Sequence, residues 1–133
     1  AVAAWMRPTG QVATTHPNTR RDDADTHAHR AAVHELLVLD DKGILVGVVC
    51  RCDLRPPAAT VAECMPSDLY VTGPATPLAE AAAAMRALSL SCLPVVSGAL
   101  VIGVIARADL ARAGARDPSE PDTCPRRCAI APA

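Results

Sequence analysis

Aromatic side chains are nearly missing from this 133-residue chain, which has one tryptophan, Trp5, one tyrosine, Tyr70, and no phenylalanine. Proteins that hold single strands stack bases on aromatic rings, and those that hold duplexes present a basic face. With 13 Lys and Arg set against 14 Asp and Glu, scattered along the chain, neither feature is present. Nucleic acid is therefore not expected as a partner. Long apolar runs are also absent. The longest, 44–50 and 100–106, are strand-sized and rich in Val and Ile, well short of the roughly 18 residues that cross a bilayer, so no membrane partner is expected. Residues 1–10 lack the basic-then-apolar order of a secretory leader. The expected location is the cytoplasm, where reduced thiols are the rule for the six cysteines, Cys50, Cys52, Cys64, Cys92, Cys124 and Cys128. The sequence also lacks a glycine-rich phosphate loop, a nucleophile elbow and a spaced Ser, His and Asp set. No catalytic residue is assigned, and the chain is not expected to be an enzyme.

What the sequence does contain is a copy of itself, and such self-similarity decides the fold. Gly47-Val48-Val49-Cys50-Arg51-Cys52-Asp53-Leu54 recurs as Gly103-Val104-Ile105-Ala106-Arg107-Ala108-Asp109-Leu110, with Gly, Val, Arg, Asp and Leu retained. Upstream, His34-Glu35-Leu36-Leu37-Val38-Leu39 parallels Ser91-Cys92-Leu93-Pro94-Val95-Val96. One residue is lost where Asp40-Asp41-Lys42-Gly43 becomes Ser97-Gly98-Ala99, a turn that tolerates deletion. Met6 and Val12 likewise parallel Met65 and Val71.

Each copy predicts the same elements. A short β-prone segment leads to a helix whose start is marked by Thr19 with Asp22, or by Thr76 with Pro77. The alanine-rich stretches 22–33 and 78–88 are the helices, the second with Ala81, Ala84, Met85 and Leu88 on one face. Two hairpins follow, 36–39 with 44–49 and 93–96 with 100–105. A further helix begins near Cys50 or Ala106; Pro56-Pro57 ends the first early, and Gly114 stops the second. Thr60 and Glu63 have the spacing of a capping box opening a short linker helix. One copy of roughly fifty residues is too small to bury a core well, so two copies are expected to pack together. The expected division is 1–57 for the first copy with its N-terminal segment, 58–115 for the second with the linker helix, and 116–133 as a flexible tail.

The Leu93-Pro94-Val95-Val96 strand, its turn and the Gly103-to-Asp109-Leu110 segment, with their echo in the first copy and a methionine ahead of each, resemble the CBS-domain family. The resemblance covers about residues 6–115. It implies an α/β (α+β) fold in which two β-α-β-β-α repeats pack as a pseudo-twofold pair, often dimerised further. It also implies a regulatory rather than catalytic role, with clefts between repeats that in many members hold AMP, ATP or a related adenosyl ligand.

The family's ligand motif runs from Gly through a Thr or Ser to an Asp, and Asp53 and Asp109 match that Asp. A carboxylate accepts two hydroxyls of a ribose diol; the same residue in a helix's first turn also serves as an N-terminal acid, and both readings stay open. Cys50 and Ala106 stand where the family has its hydroxyl, which cysteine replaces poorly and alanine not at all. Arg51 and Arg107, next in sequence, are candidate phosphate ligands or solvated arginines. Pro94 matches the position that brings backbone close to an adenine, and its counterpart Leu37 departs from proline. No cofactor is required by this reading; AMP, ADP, ATP or S-adenosylmethionine is the regulatory ligand it implies. A homodimer and a separate regulated protein are the implied partners.

Two alternatives stay beside it: an interaction module that has lost ligand binding, and a redox or metal sensor. The sensor reading draws on Cys50-x-Cys52 and on Cys124 and Cys128, which flank Pro125-Arg126-Arg127. Neither pair has the usual zinc spacing, and His27 and His29, two apart on a helix, face different ways. His16 and His34 complete the histidines, and no metal site is assigned.

Overall fold

Short Val-, Ile- and Leu-rich runs form the main strands, and the two alanine-bearing stretches form the longer helices. The computed structural model describes residues 1–114. In chain order the elements are β1 (Arg7–Pro8), β2 (Thr14–Thr15), α1 (Arg21–Arg30), β3 (Glu35–Leu39), β4 (Leu45–Cys50), α2 (Val61–Cys64), α3 (Leu78–Ala87), β5 (Cys92–Ser97), β6 (Leu100–Ala106) and α4 (Arg107–Arg112). Short 3-10 turns lie at Val2–Ala4, Thr9–Gln11 and Arg51–Asp53. Among the described residues no helix is long and apolar enough to cross a membrane.

The chain forms two compact units, and they cut it elsewhere than the sequence copies do. One is Ala13–Leu69; the other joins residues 1–12 to 70–114. Each copy's leading segment thus belongs to the other copy's unit, for the plain reason that its apolar residues are buried there. Val61 is fully buried with Ala24, Ala28, Leu36, Val38, Val49 and Leu54, while Val2 is fully buried with Ala81, Ala82, Met85, Leu93, Val95, Ile105 and Leu110. Backbone bonds repeat the exchange: Val61 N donates to Thr19 O and Val2 N to Thr76 O, both at 2.9 Å. The tail expected at 116–133 lies outside the described residues.

In the unit Ala13–Leu69 the sheet order is β2-β3-β4, with β2 parallel and β4 antiparallel to β3. Helix α1 is polar, and only Ala24 and Ala28 are buried. Two alanines four apart let its backbone settle close on the sheet. Its start differs from expectation. Arg20 is the N-cap residue and no side chain caps it; instead Arg21 N donates to Ala59 O at 2.9 Å. The linker supplies the acceptor that Thr19 was expected to provide. Likewise Thr60 does not cap α2, and Glu63 accepts from Ala59 N at 3.1 Å.

In the other unit the order is β1-β6-β5, all antiparallel, and Thr72 bridges Val95 in parallel as β2 does in the first. Helix α3 buries Ala81, Ala82 and Met85, whereas Leu88, expected on that face, is 39% exposed. The helix has ended at Ala87, so Leu88 no longer follows its period. Thr76 does not cap it; its Oγ1 accepts from Gly73 N at 3.3 Å.

The copying extends to backbone detail. Both hairpins shift register at the same place, between Val38 and Leu39 and between Val95 and Val96. Both turns use a left-handed glycine, Gly43 (φ 78°) and Gly98 (φ 62°). The first is tightened by Asp40, whose carboxylate accepts from Lys42 N and Ile44 N at 2.9 Å. The bond from Ile44 foremost holds that carboxyl below its ordinary value.

Helices α1 and α3 both end in a left-handed residue that is not glycine, Ala32 (φ 56°) and Ser89 (φ 53°). The following amides, Val33 N and Leu90 N, reach back to Ala28 O (3.1 Å) and Met85 O (2.8 Å) and close the turn. A Cβ in that region is strained, so Ala32→Gly and Ser89→Gly are each expected to raise stability by roughly 0.5–1 kcal/mol. Urea denaturation reads this directly; lowered midpoints in both variants would contradict it.

Candidate functional site

The residues singled out by the repeat gather at the turn where each hairpin's second strand runs into the next helix. In the first unit Glu35 pairs with Cys50 and Leu37 with Val48; in the second Cys92 pairs with Ala106 and Pro94 with Val104. The chain then turns, tied by Arg51 N to His34 O (2.8 Å) and by Arg107 N to Ser91 O (3.1 Å).

Both aspartates point back into this turn. Asp53 Oδ2 accepts from Cys50 N at 3.0 Å and Asp109 Oδ2 from Ala106 N at 2.9 Å. Each carboxylate thus satisfies an amide at the start of the following helical turn. Both are buried, Asp53 at 8% and Asp109 at 1% exposure. The reciprocal bond exists only in the first copy, where Cys50 Sγ accepts from Cys52 N at 3.5 Å. The thiol does the hydroxyl's work at sulfur's longer reach. Ala106 has no acceptor to offer, so the second copy keeps only the carboxylate half.

Asp109 has further partners. Its Oδ1 receives Arg112 Nη2 at 2.6 Å and has Arg7 Nε at 4.0 Å. The Arg112 guanidinium also sits 5.8 Å from the Trp5 ring centroid, a cation–π distance. None of Trp5, Arg7 and Arg112 was selected from sequence. The spacing of Asp109 and Arg112, three apart on a helix, was a usable signal; Trp5 and Arg7 reach the site only because the leading segment joins the other copy's unit.

The adjacent arginines are drawn into their own units. Arg51 Nε donates to Asp25 Oδ1 at 3.1 Å, and its side chain is 13% exposed. In the second copy the position corresponding to Asp25 is Ala82, and Arg107 Nε turns to Leu90 O at 3.1 Å. Leu37 and Pro94 are buried within β3 and β5. Their backbones are engaged: Leu37 N donates to Ala13 O at 3.2 Å, and Pro94 O accepts from Thr72 N at 2.9 Å.

Cys50, Cys52, Cys64 and Cys92 are free of disulfides. Burial foremost, with the Asp53 carboxylate adding to it, pushes the Cys64 thiol above its ordinary value, away from thiolate reactivity. No group of three His, Cys, Asp or Glu residues that could hold a metal occurs among the described residues. Cys124 and Cys128 lie outside them. An open surface depression of about 330 Å³ is lined by Arg55, Pro57, Ala58, Glu63 and Cys64, none of them a residue chosen from the motif.

Residues 61–116 match the family model of the CBS domain. A comparison with curated proteins finds no match. Among solved structures, CBSX2 in complex with AMP is 28% identical, with a TM-score of 0.80 over 85% of this chain and 94% of that one. A second CBSX2 structure, described as a CBS-pair protein from Arabidopsis thaliana, is also 28% identical, with a TM-score of 0.79 over 85% and 92%. The CBS domain pair of protein MJ0100, in complex with 5-methylthioadenosine and S-adenosyl-L-methionine, shares the fold at 22% identity, with a TM-score of 0.77 over 85% and 94%. The family match makes residues 61–116 a CBS domain, and the shared architecture takes in the first copy as well, so the chain has the mixed α+β fold of a CBS pair.

Proposed function

We propose that this CBS pair is a regulatory, ligand-sensing module that binds an adenine nucleotide or related adenosyl ligand and thereby changes how it packs with a twin or a regulated partner. The observation that carries the reading is the doubled strand-to-helix turn with an aspartate at its base, on a chain similar to CBSX2, a protein solved with AMP. In this reading the carboxylates of Asp53 and Asp109 receive the ribose hydroxyls. The backbone near Pro94 and Leu37 takes the base, and Cys50 and Ala106 shape the turn. Arg51 and Arg107, whose Nε atoms are held by Asp25 and by Leu90 O, contact the phosphate. The second copy is the preferred site, since it keeps Pro94.

Ligand binding alters packing only through different affinities for two arrangements. The reading therefore includes a homodimer, in the cytoplasm, whose mass or shape responds to nucleotide. Calorimetry of the full chain with AMP, ADP, ATP and S-adenosylmethionine tests it, together with light scattering with and without the tightest ligand. Heat with at least one nucleotide is expected. No heat with any of the four would overturn it.

A second reading has its own support, since both aspartates already serve backbone amides and Ala106 supplies no hydroxyl. A CBS pair kept for interaction alone would form stable oligomers that ignore every nucleotide. The same two measurements separate the readings.

A further inference from the structure

We propose that Arg112 and Arg7 gate the Asp109 carboxylate and then hold the phosphate of the nucleotide that displaces them, so that the second copy selects phosphorylated ligands over nucleosides. The proposal rests on the adenine-nucleotide reading above and names the residues that set its specificity.

Asp109 is 1% exposed, and its Oδ2 is committed to Ala106 N. A ribose diol can therefore reach only Oδ1, which already holds Arg112 at 2.6 Å and faces Arg7 at 4.0 Å. Those two side chains are 62% and 52% exposed. They hydrate when they swing aside, and the ribose hydroxyls take their place on the buried carboxylate, so the exchange leaves no charge uncompensated.

The chemistry of the exchange depends on what the ligand carries. A carboxylate is acceptor-only and a guanidinium donor-only. A nucleoside gives Asp109 its hydroxyls but leaves both guanidiniums without the anion they lost. A nucleotide supplies the diol and an anion together. Two guanidinium nitrogens lying 2.6 and 4.0 Å from one oxygen are close enough for a single phosphate to bridge them. Ligand and protein thus trade one set of charge-assisted bonds for another. S-adenosylmethionine offers a carboxylate but no phosphate, and its sulfonium is cationic, so it gains less from this pair. The first copy has no counterpart of Arg112, since Pro56 stands three residues after Asp53 where Arg112 stands after Asp109.

The chain's one tryptophan reports on the exchange, because Arg112 leaves its place 5.8 Å from the Trp5 ring when it releases Asp109. The test is calorimetry of the full chain with AMP and with adenosine, on the native protein, Arg112→Ala, Arg7→Ala and Arg112→Lys, with Trp5 emission followed in parallel. The native protein is expected to prefer AMP by about tenfold or more, the weight of one charge-assisted bond. Arg112→Ala is expected to lose most of that preference, as AMP weakens while adenosine binds at least as well. Arg7→Ala should shift the ratio the same way by less, and Arg112→Lys, which keeps charge but not the planar fork, should fall between. AMP should change Trp5 emission in the native protein and not in Arg112→Ala. If AMP binds and the AMP-to-adenosine ratio is the same in all four proteins, the gate falls and the nucleotide reading stands. If neither ligand binds the native protein or Arg112→Ala, the gate falls, and the nucleotide reading falls with it once ADP, ATP and S-adenosylmethionine also give no heat.

Discussion

Replacing Gly103 with alanine is expected to unseat the N-terminal segment from its unit and to lower stability by roughly 3 kcal/mol. A Cβ at Gly103 would stand 2.4 Å from Arg7 O, 2.9 Å from Met6 Sδ and 3.3 Å from Arg7 C. The nearest of these is backbone held in a strand, since Arg7 pairs with Val104 and Pro8 with Gly103. It cannot rotate away. Either β1 leaves β6 or the sheet distorts, and if β1 leaves, the core also loses Val2, Trp5 and Met6. The matching glycine of the first copy sets the control. At Gly47 the nearest atom is Met65 Sδ at 3.0 Å, the far end of a flexible side chain. Gly47→Ala is therefore expected to cost less than about 1 kcal/mol. Chemical denaturation compares the two, and Trp5 emission at low denaturant shows whether the segment has come off. Equal losses in both variants would contradict the account.

The glycines illustrate what the sequence could and could not reveal. The hairpins were legible because strand period and turn glycines are local signals, and they fall within a residue or so of expectation. The repeat was legible because an eight-residue segment recurs. What sequence could not place was the partner of each leading segment. The likeness of Met6 to Met65 assigned each to the copy it precedes, whereas Met6 lies by Gly103 and Met65 by Gly47. Local pattern tells that a segment is apolar, not whose core it enters. The expected caps failed for the same reason. Thr19 and Thr76 read as N-caps by chemistry, but the exchanged segments bring Val61 N and Val2 N to their carbonyls. A tertiary contact displaced a local one.

The two aspartates share a motif in the sequence, yet their surroundings depend on the same exchange. Asp53 and Asp109 match in motif and in the bond to the preceding amide. Asp109 also gathers two arginines, one from its own helix and one from the N-terminal segment. The two copies thus present the same carboxylate in different electrostatic settings. That asymmetry sits in the copy that keeps Pro94 where the first has Leu37.

Asp109→Ala is expected to destabilise its unit by about 2–3 kcal/mol, the largest effect among the motif residues. Most of this comes from the Ala106 amide, which loses its acceptor in a turn where no side chain can replace it. The guanidiniums contribute less, since Arg112 and Arg7 are 62% and 52% exposed and hydrate once released. Asp109→Asn separates the parts. It keeps an oxygen for Ala106 N and removes the charge, so more than half the loss should return. Asp53→Ala should cost roughly 1–2 kcal/mol, because Cys50 Sγ still accepts from Cys52 N and holds the first copy's turn. Denaturation midpoints for the three variants give the order Asp109→Ala, then Asp53→Ala and Asp109→Asn close together. A loss in Asp109→Asn as large as in Asp109→Ala would mean the ion pairs, not the amide, hold this turn. In that case a ligand displacing Arg112 would have to overcome most of the site's stability, and the exchange of guanidinium for diol would be correspondingly weak.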